Sequence, residues 1–166
     1  MSADSPGESP DGSPSEDEPT DAEALQNALR AEHAAVYGYG FIGAHCAGKD
    51  RERSYTCLDA HRTKRDTLRS ELVRLSVDPA ASKSAYALPD ATDQDTLDTF
   101  ATELEERTTH GYLRLAAAND VSLRDLAARS LQEATVRGLT WGAELVDLPG
   151  FPDGSGGSAP EDVAGD

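Results

Sequence analysis

Only two cysteines, one tryptophan and three lysines occur among the 166 residues, and aromatic side chains make up 5% of the chain. Each shortage removes something. Two cysteines are too few for a disulfide framework or a four-thiolate metal site. Cys46 and Cys57 flank the first expected turn and could approach across it, yet in a reducing compartment two free thiols are the expected state. With so few aromatics and no basic face for them to punctuate, nucleic acid is not an expected partner. No apolar stretch approaches the roughly 18 residues of a membrane span, and no basic-then-apolar leader opens the chain. The expectation is a cytoplasmic protein that uses neither membrane nor nucleic acid.

The net charge of -16 belongs mostly to the ends. Residues 1–21 carry seven acids and no base, and residues 150–166 carry four acids and no base. Taking those 11 from 31 acids leaves 20 against 15 bases, or -5, for the stretch between. The outer residues 1–19 and 152–166 are Ser, Pro, Gly, Asp and Glu with hardly an apolar side chain. Both segments are expected to be disordered acidic tails around a single domain at 20–151.

That domain reads as four helices. Thr20-Asp21-Ala22-Glu23 is a capping box behind Pro19. From it Leu25, Leu29, Glu32, Val36, Tyr39, Gly43 and Cys46 recur at alternating spacings of four and three, the seam of a bundle helix. Gly48 is the expected stop. Asp50 is the expected cap of a second helix, whose seam runs Ser54, Leu58, His61, Arg65, Leu68, Leu72, Leu75 to about Val77. Asp78-Pro79 disfavours continuation. A third helix starts near Asp93 with seam Leu97, Ala101, Leu104, Thr108, Gly111, Leu115. A fourth restarts at Ser122 with Asp125, passes Leu123, Ala127, Ser130, Ala134, Arg137, Trp141 and Leu145, and is expected to stop at Pro149-Gly150.

The connections read short, long, short. A helix of about 27 residues spans about 40 Å, and fifteen extended residues reach about 50 Å. Residues 78–92 can therefore run the length of the bundle and set the third helix parallel to the second. The expected fold class is all-α, a ferritin-like four-helix bundle with a long crossover between helices 2 and 3.

Each seam carries a charged residue or a histidine near its midpoint: Glu32, His61 with Arg65, Glu105, and Arg137. Stacked in a bundle, they form one polar layer at mid-height. An unpaired buried charge is costly, so the layer is either a metal site or a set of ion pairs closed among themselves. Ferritin-like di-iron proteins take one Glu from each of two helices and a Glu-x-x-His pair from each of the others. Bridging carboxylates and imidazoles of that kind suit iron or manganese. Glu32 and Glu105 stand where single glutamates belong. The pairs do not: Leu58 occupies the position three before His61, and the fourth helix offers Glu133 and Arg137 without a histidine. His33 adjoins Glu32 at the seam's edge, and His110 with Glu106 reads as a surface pair. Counting Glu32 and Glu105 against Arg65 and Arg137 gives zero with His61 neutral. Two divalent ions beside two guanidiniums are electrostatically unfavourable. A metal-free ionic layer of Glu32, His61, Arg65, Glu105 and Arg137 is the expectation. The alternative is one iron or manganese ion on Glu32, His61 and Glu105.

Tyr37, Tyr39 and Trp141 lie near the seam and suit core packing with satisfied polar tips. Gly38-Tyr39-Gly40 lacks the strand and third glycine of a dinucleotide site. Glycines 38, 40 and 43 instead permit close helix approach.

Ala31-Glu32-His33-Ala34-Ala35-Val36-Tyr37-Gly38-Tyr39-Gly40, then Ala60-His61-Arg62-Thr63-Lys64-Arg65-Asp66, then Tyr86-Ala87-Leu88-Pro89, resemble a bacterial domain of unknown function in the ferritin-like superfamily. Leu104-Glu105 and Trp141 fit it too, and the likeness covers about residues 22–151. It implies a four-helix ferritin-like bundle and brings no established activity. The functional expectation is a structural or binding module with no resident cofactor and a degenerate metal site. Two rivals stand beside it: a metal-dependent oxidoreductase or metal carrier, and an adaptor whose tails capture a partner. A homodimer through an outer helix face is left open.

Overall fold

The computed structural model describes residues 20–144, so the expected tails at 1–19 and 152–166, Leu145 and the stop at Pro149-Gly150 lie outside the described residues. The described chain is all-α: α1 Asp21–His45, α2 Gly48–Arg74, α3 Gln94–Leu115 and α4 Val121–Thr140. α1 opens on the capping box, with the Thr20 hydroxyl accepting from the Glu23 amide while the Glu23 carboxylate accepts from the Thr20 amide at 2.8 Å. Asp93 caps α3 by accepting from the Thr96 amide at 3.1 Å.

Three boundaries differ from expectation. Gly48 does not terminate α1; it opens α2 at φ +55°, a left-handed value glycine reaches without strain. Only Cys46 and Ala47 separate the two helices, because this reversal turns the chain at once. Asp50 consequently falls inside the first turn, and Ala47 holds the cap position without a side-chain bond. α4 starts earlier than Ser122, since Asp120 accepts from the Ser122 amide at 2.8 Å. It also ends well before Pro149, at Thr140. There Gly142 turns to φ +93° and the Ala143 amide donates to the Gly138 carbonyl at 3.0 Å. That is a glycine C-cap, which satisfies the last carbonyls and stops the helix.

Contacts at the helix ends fix the topology. Arg53 near the start of α2 lies 3.8 Å from Asp98 near the start of α3, so these two helices run the same way. The Asp21 carboxylate at the start of α1 accepts from the amides of Asn119 and Asp120 at the start of α4, so that pair is parallel as well. Arg74 at the end of α2 pairs with Asp120 at 2.9 Å, setting α2 against α4. α1 packs on α2 and α3, and α3 on α4. Lys64 of α2 meets Glu133 of α4 at 2.9 Å and closes the ring. The segment between Leu75 and Asp93 thus runs from one end of the bundle to the other, as its length required. It lies along α1, where the Gln26 side chain donates to the Asp78 carbonyl and accepts from the Ala80 amide.

The apolar interior comes in two blocks. One holds Leu25, Leu29, Leu68, Leu72, Tyr112, Leu115 and Leu123. The other holds Tyr39, Ile42, Leu58, Leu97, Leu104 and Trp141. On every helix the mid-seam residue falls between them. Hydrophobic burial above and below therefore fixes the height of the polar slab, and the slab's own pairing need only offset the cost of its desolvation.

A buried ionic layer at mid-height

The layer is built around one imidazole. His61 comes from α2, one turn after Cys57 and Leu58 of the block that holds Tyr39 and Trp141, and its side chain is wholly inaccessible to solvent. Its Nδ1 lies 2.7 Å from Glu32 Oε2 of α1, and its Nε2 lies 3.0 Å from Glu105 Oε1 of α3. An ionised carboxylate accepts and does not donate, so with both glutamates ionised the ring carries both protons. His61 is therefore an imidazolium. Burial, the largest influence, pushes its pKa down, but the hydrogen bonds and charges of Glu105 and Glu32 outweigh it and raise the pKa to about 9.

The remaining carboxylate oxygens are also satisfied. Tyr112 donates to Glu32 Oε1 at 2.7 Å. Tyr39 donates to Glu105 Oε1 at 2.7 Å, and its ring stacks on His61 with centroids 5.1 Å apart. Arg137 Nε lies 3.1 Å from both Glu105 oxygens. Burial alone would raise the Glu105 pKa, yet His61, Arg137 and Tyr39 together hold it below the usual carboxylate range. Tyr39 and Tyr112 are pushed up, first by burial and then by the carboxylates they face. Both phenols remain protonated donors.

Four of the five residues expected in the layer meet there: Glu32, His61, Glu105 and Arg137. Arg65 does not. Its side chain is 27% exposed and its Nε donates to Asp66 at 2.8 Å. The seam position is right, but a long arginine stem carries its head out to water where a short imidazole stays in. The charge sum still closes, with His61 supplying the cation assigned to Arg65: two carboxylates, one imidazolium and one guanidinium.

The metal alternative needs donor atoms converging on one point. Glu32, His61 and Glu105 are together, but the carboxylates sit on opposite nitrogens of one ring. Among the described residues no group of three or more His, Cys, Asp or Glu is arranged to hold an ion. With a guanidinium on Glu105 as well, these residues do not fit a di-iron centre. His33 faces elsewhere, its Nε2 lying 3.0 Å from the Ala80 carbonyl of the crossover. His110 is exposed.

Tyr112 was missed by the seam reading because it neighbours the seam position Gly111. The signal was available, since Thr108 and Tyr112 are four apart and Leu115 follows by three, a stripe two residues wide. Tyr37 lies outside the layer, with its ring 5.4 Å from that of Tyr86 in the crossover. Cys46 and Cys57 are free and buried, and burial pushes both thiols up. Arg53 covers Trp141, its guanidinium carbon 3.7 Å from the ring centroid.

The family described as "Domain of unknown function (DUF4439)" matches residues 24–153. The chain belongs to that family. A solved structure from Mycobacterium tuberculosis, titled as a conserved hypothetical protein, rv2844, superposes with a TM-score of 0.70 at 26% identity. The match covers 73% of this chain and 93% of that one. No curated protein matches. The family is one of unknown function, and the solved neighbour is described only as a conserved hypothetical protein.

Proposed function

We propose that this DUF4439 chain is a ferritin-like bundle whose mid-height metal position has become a closed ionic layer, leaving a structural and binding module rather than a metal oxidase. One observation carries the reading: His61 lies between Glu32 and Glu105 with both ring nitrogens engaged. Supporting it, α2 and α4 offer Leu58 and Arg137 where a di-iron bundle uses an acid and a histidine. In this reading the layer sets helix register, because a buried charge tolerates only the arrangement that pairs it. The protein works in the cytoplasm with both thiols reduced, in keeping with two free, buried cysteines. Among the described residues no helix is long and apolar enough to cross a membrane.

Elemental analysis of protein purified without chelators or an affinity metal is the test. Iron and manganese well below one equivalent agree with the reading. Near-stoichiometric metal that disappears in both Glu32→Ala and Glu105→Ala would establish the metalloprotein alternative instead.

A further inference from the structure

Between the crossover, α1 and α3 lies a cavity of about 270 Å³. Its lining is mixed, polar and apolar surface in similar measure, and its aromatic side chains are Tyr37 of α1, Tyr86 of the crossover and Phe100 of α3. Two charged side chains reach it, Lys83 and Arg107, and both are cationic. Among the described residues no carboxylate lines it, although acids outnumber bases over the bundle. Lys83 has no carboxylate partner among the described residues, and its ammonium stands 6.0 Å from the Tyr86 ring centroid. Arg107 is held by Glu103 at 3.2 Å with both side chains about half exposed. A pair that exposed contributes little, so an incoming anion can exchange for it. An outer groove of about 430 Å³ shares Ala87, Phe100 and Arg107 with it and is lined also by Asp95 and Glu103.

From this juxtaposition we propose that the crossover cavity binds a small aromatic carboxylate, with the ring system among Tyr37, Tyr86 and Phe100 and the carboxylate between Lys83 and Arg107. Cavities of about 150 Å³ suffice for benzene, so the volume admits a one- or two-ring molecule. Aromatic side chains with a few placed polar groups are the usual make-up of a small-molecule site. Arg107 supplies a planar fork for the carboxylate and Lys83 a point charge. The inference rests on the binding-module half of the proposed function and not on the absence of metal. Metal found in the layer would therefore leave it standing.

The test is a chemical-shift titration of the full chain, labelled with ¹⁵N, using 2-naphthoate as the probe. Neutral 2-naphthalenemethanol and inorganic phosphate serve as comparisons. Saturable shifts confined to the crossover near Lys83 and Tyr86 and to α3 near Phe100 and Arg107 are expected. The alcohol should bind at least about tenfold more weakly, the equivalent of one lost charge contact, and phosphate should give no saturable shift. The double variant Lys83→Gln with Arg107→Gln changes two exposed side chains, should melt like the parent, and should lose affinity by more than about tenfold. Shifts mapping elsewhere, no saturation at millimolar probe, equal affinity for the alcohol, saturable binding of phosphate alone, or an unweakened double variant would each overturn the assignment.

Discussion

His61 and Glu32 face each other across 2.7 Å with neither side chain accessible to solvent, and they join α2 to α1 at the level where the two apolar blocks part. An ion pair so placed gives little net stability over an apolar replacement of the same shape, yet removing one partner strands the other. His61→Leu leaves Glu32 with the Tyr112 hydroxyl and no cation in contact, while Glu105 keeps Arg137 and Tyr39. The substitution should cost about 3–5 kcal/mol in urea unfolding near neutral pH, and a loss below about 0.5 kcal/mol would place His61 outside any charge pairing.

The same logic separates the two arginines. Arg137→Met should destabilise by several kcal/mol, because it removes the guanidinium on both oxygens of Glu105. Arg65→Met removes only a partly exposed contact with Asp66 and should stay within about 0.5 kcal/mol. Equal losses in the two variants would contradict the layer's composition.

pH dependence follows from the two shifted groups. His61 is raised in the fold to about 9, so its contribution is complete below its ordinary value near 6.5 and is lost as pH rises through about 9. Glu105 is lowered, so its contribution is present above the ordinary glutamate value and is lost as pH falls below it. Stability should form a plateau around neutrality with an acid limb and an alkaline limb. Melting temperature against pH checks this, and the alkaline limb should largely vanish in His61→Gln.

Glycine substitutions test the packing. A Cβ on Gly38 would stand 2.5 Å from Leu104 Cδ1, so Gly38→Ala obliges the Leu104 side chain to shift and should gain less than Gly40→Ala. Gly40 has nothing within 4 Å, and Gly40→Ala should stabilise α1 by up to about 1 kcal/mol. Thermal melts should place Gly40→Ala above Gly38→Ala, and the reverse order would contradict the packing.

The helices and their order were readable because four-three spacing and the Thr20–Glu23 box are local signals, and α3 starts beside Asp93 as expected. The crossover was readable from length alone. Two boundaries were not, the start of α2 at Gly48 and the end of α4 before Gly142, because both glycines act through left-handed backbone angles that composition does not display. Periodicity also places Cα atoms and not side-chain heads. It set Arg65 and His61 on one seam without showing that the longer side chain escapes to Asp66. Tyr112 shows the converse limit, since a residue beside the seam can reach its centre when its polar tip finds a carboxylate. Glycine at 38 was readable as a close approach; glycine at 40 was not, since it meets no neighbour.

The protonation state of one ring decides the account. ¹⁵N NMR of the His61 imidazole should show protons on both nitrogens at pH 7.5 and a single transition near pH 9. A neutral ring at pH 7.5, or one nitrogen bearing a metal, would contradict it.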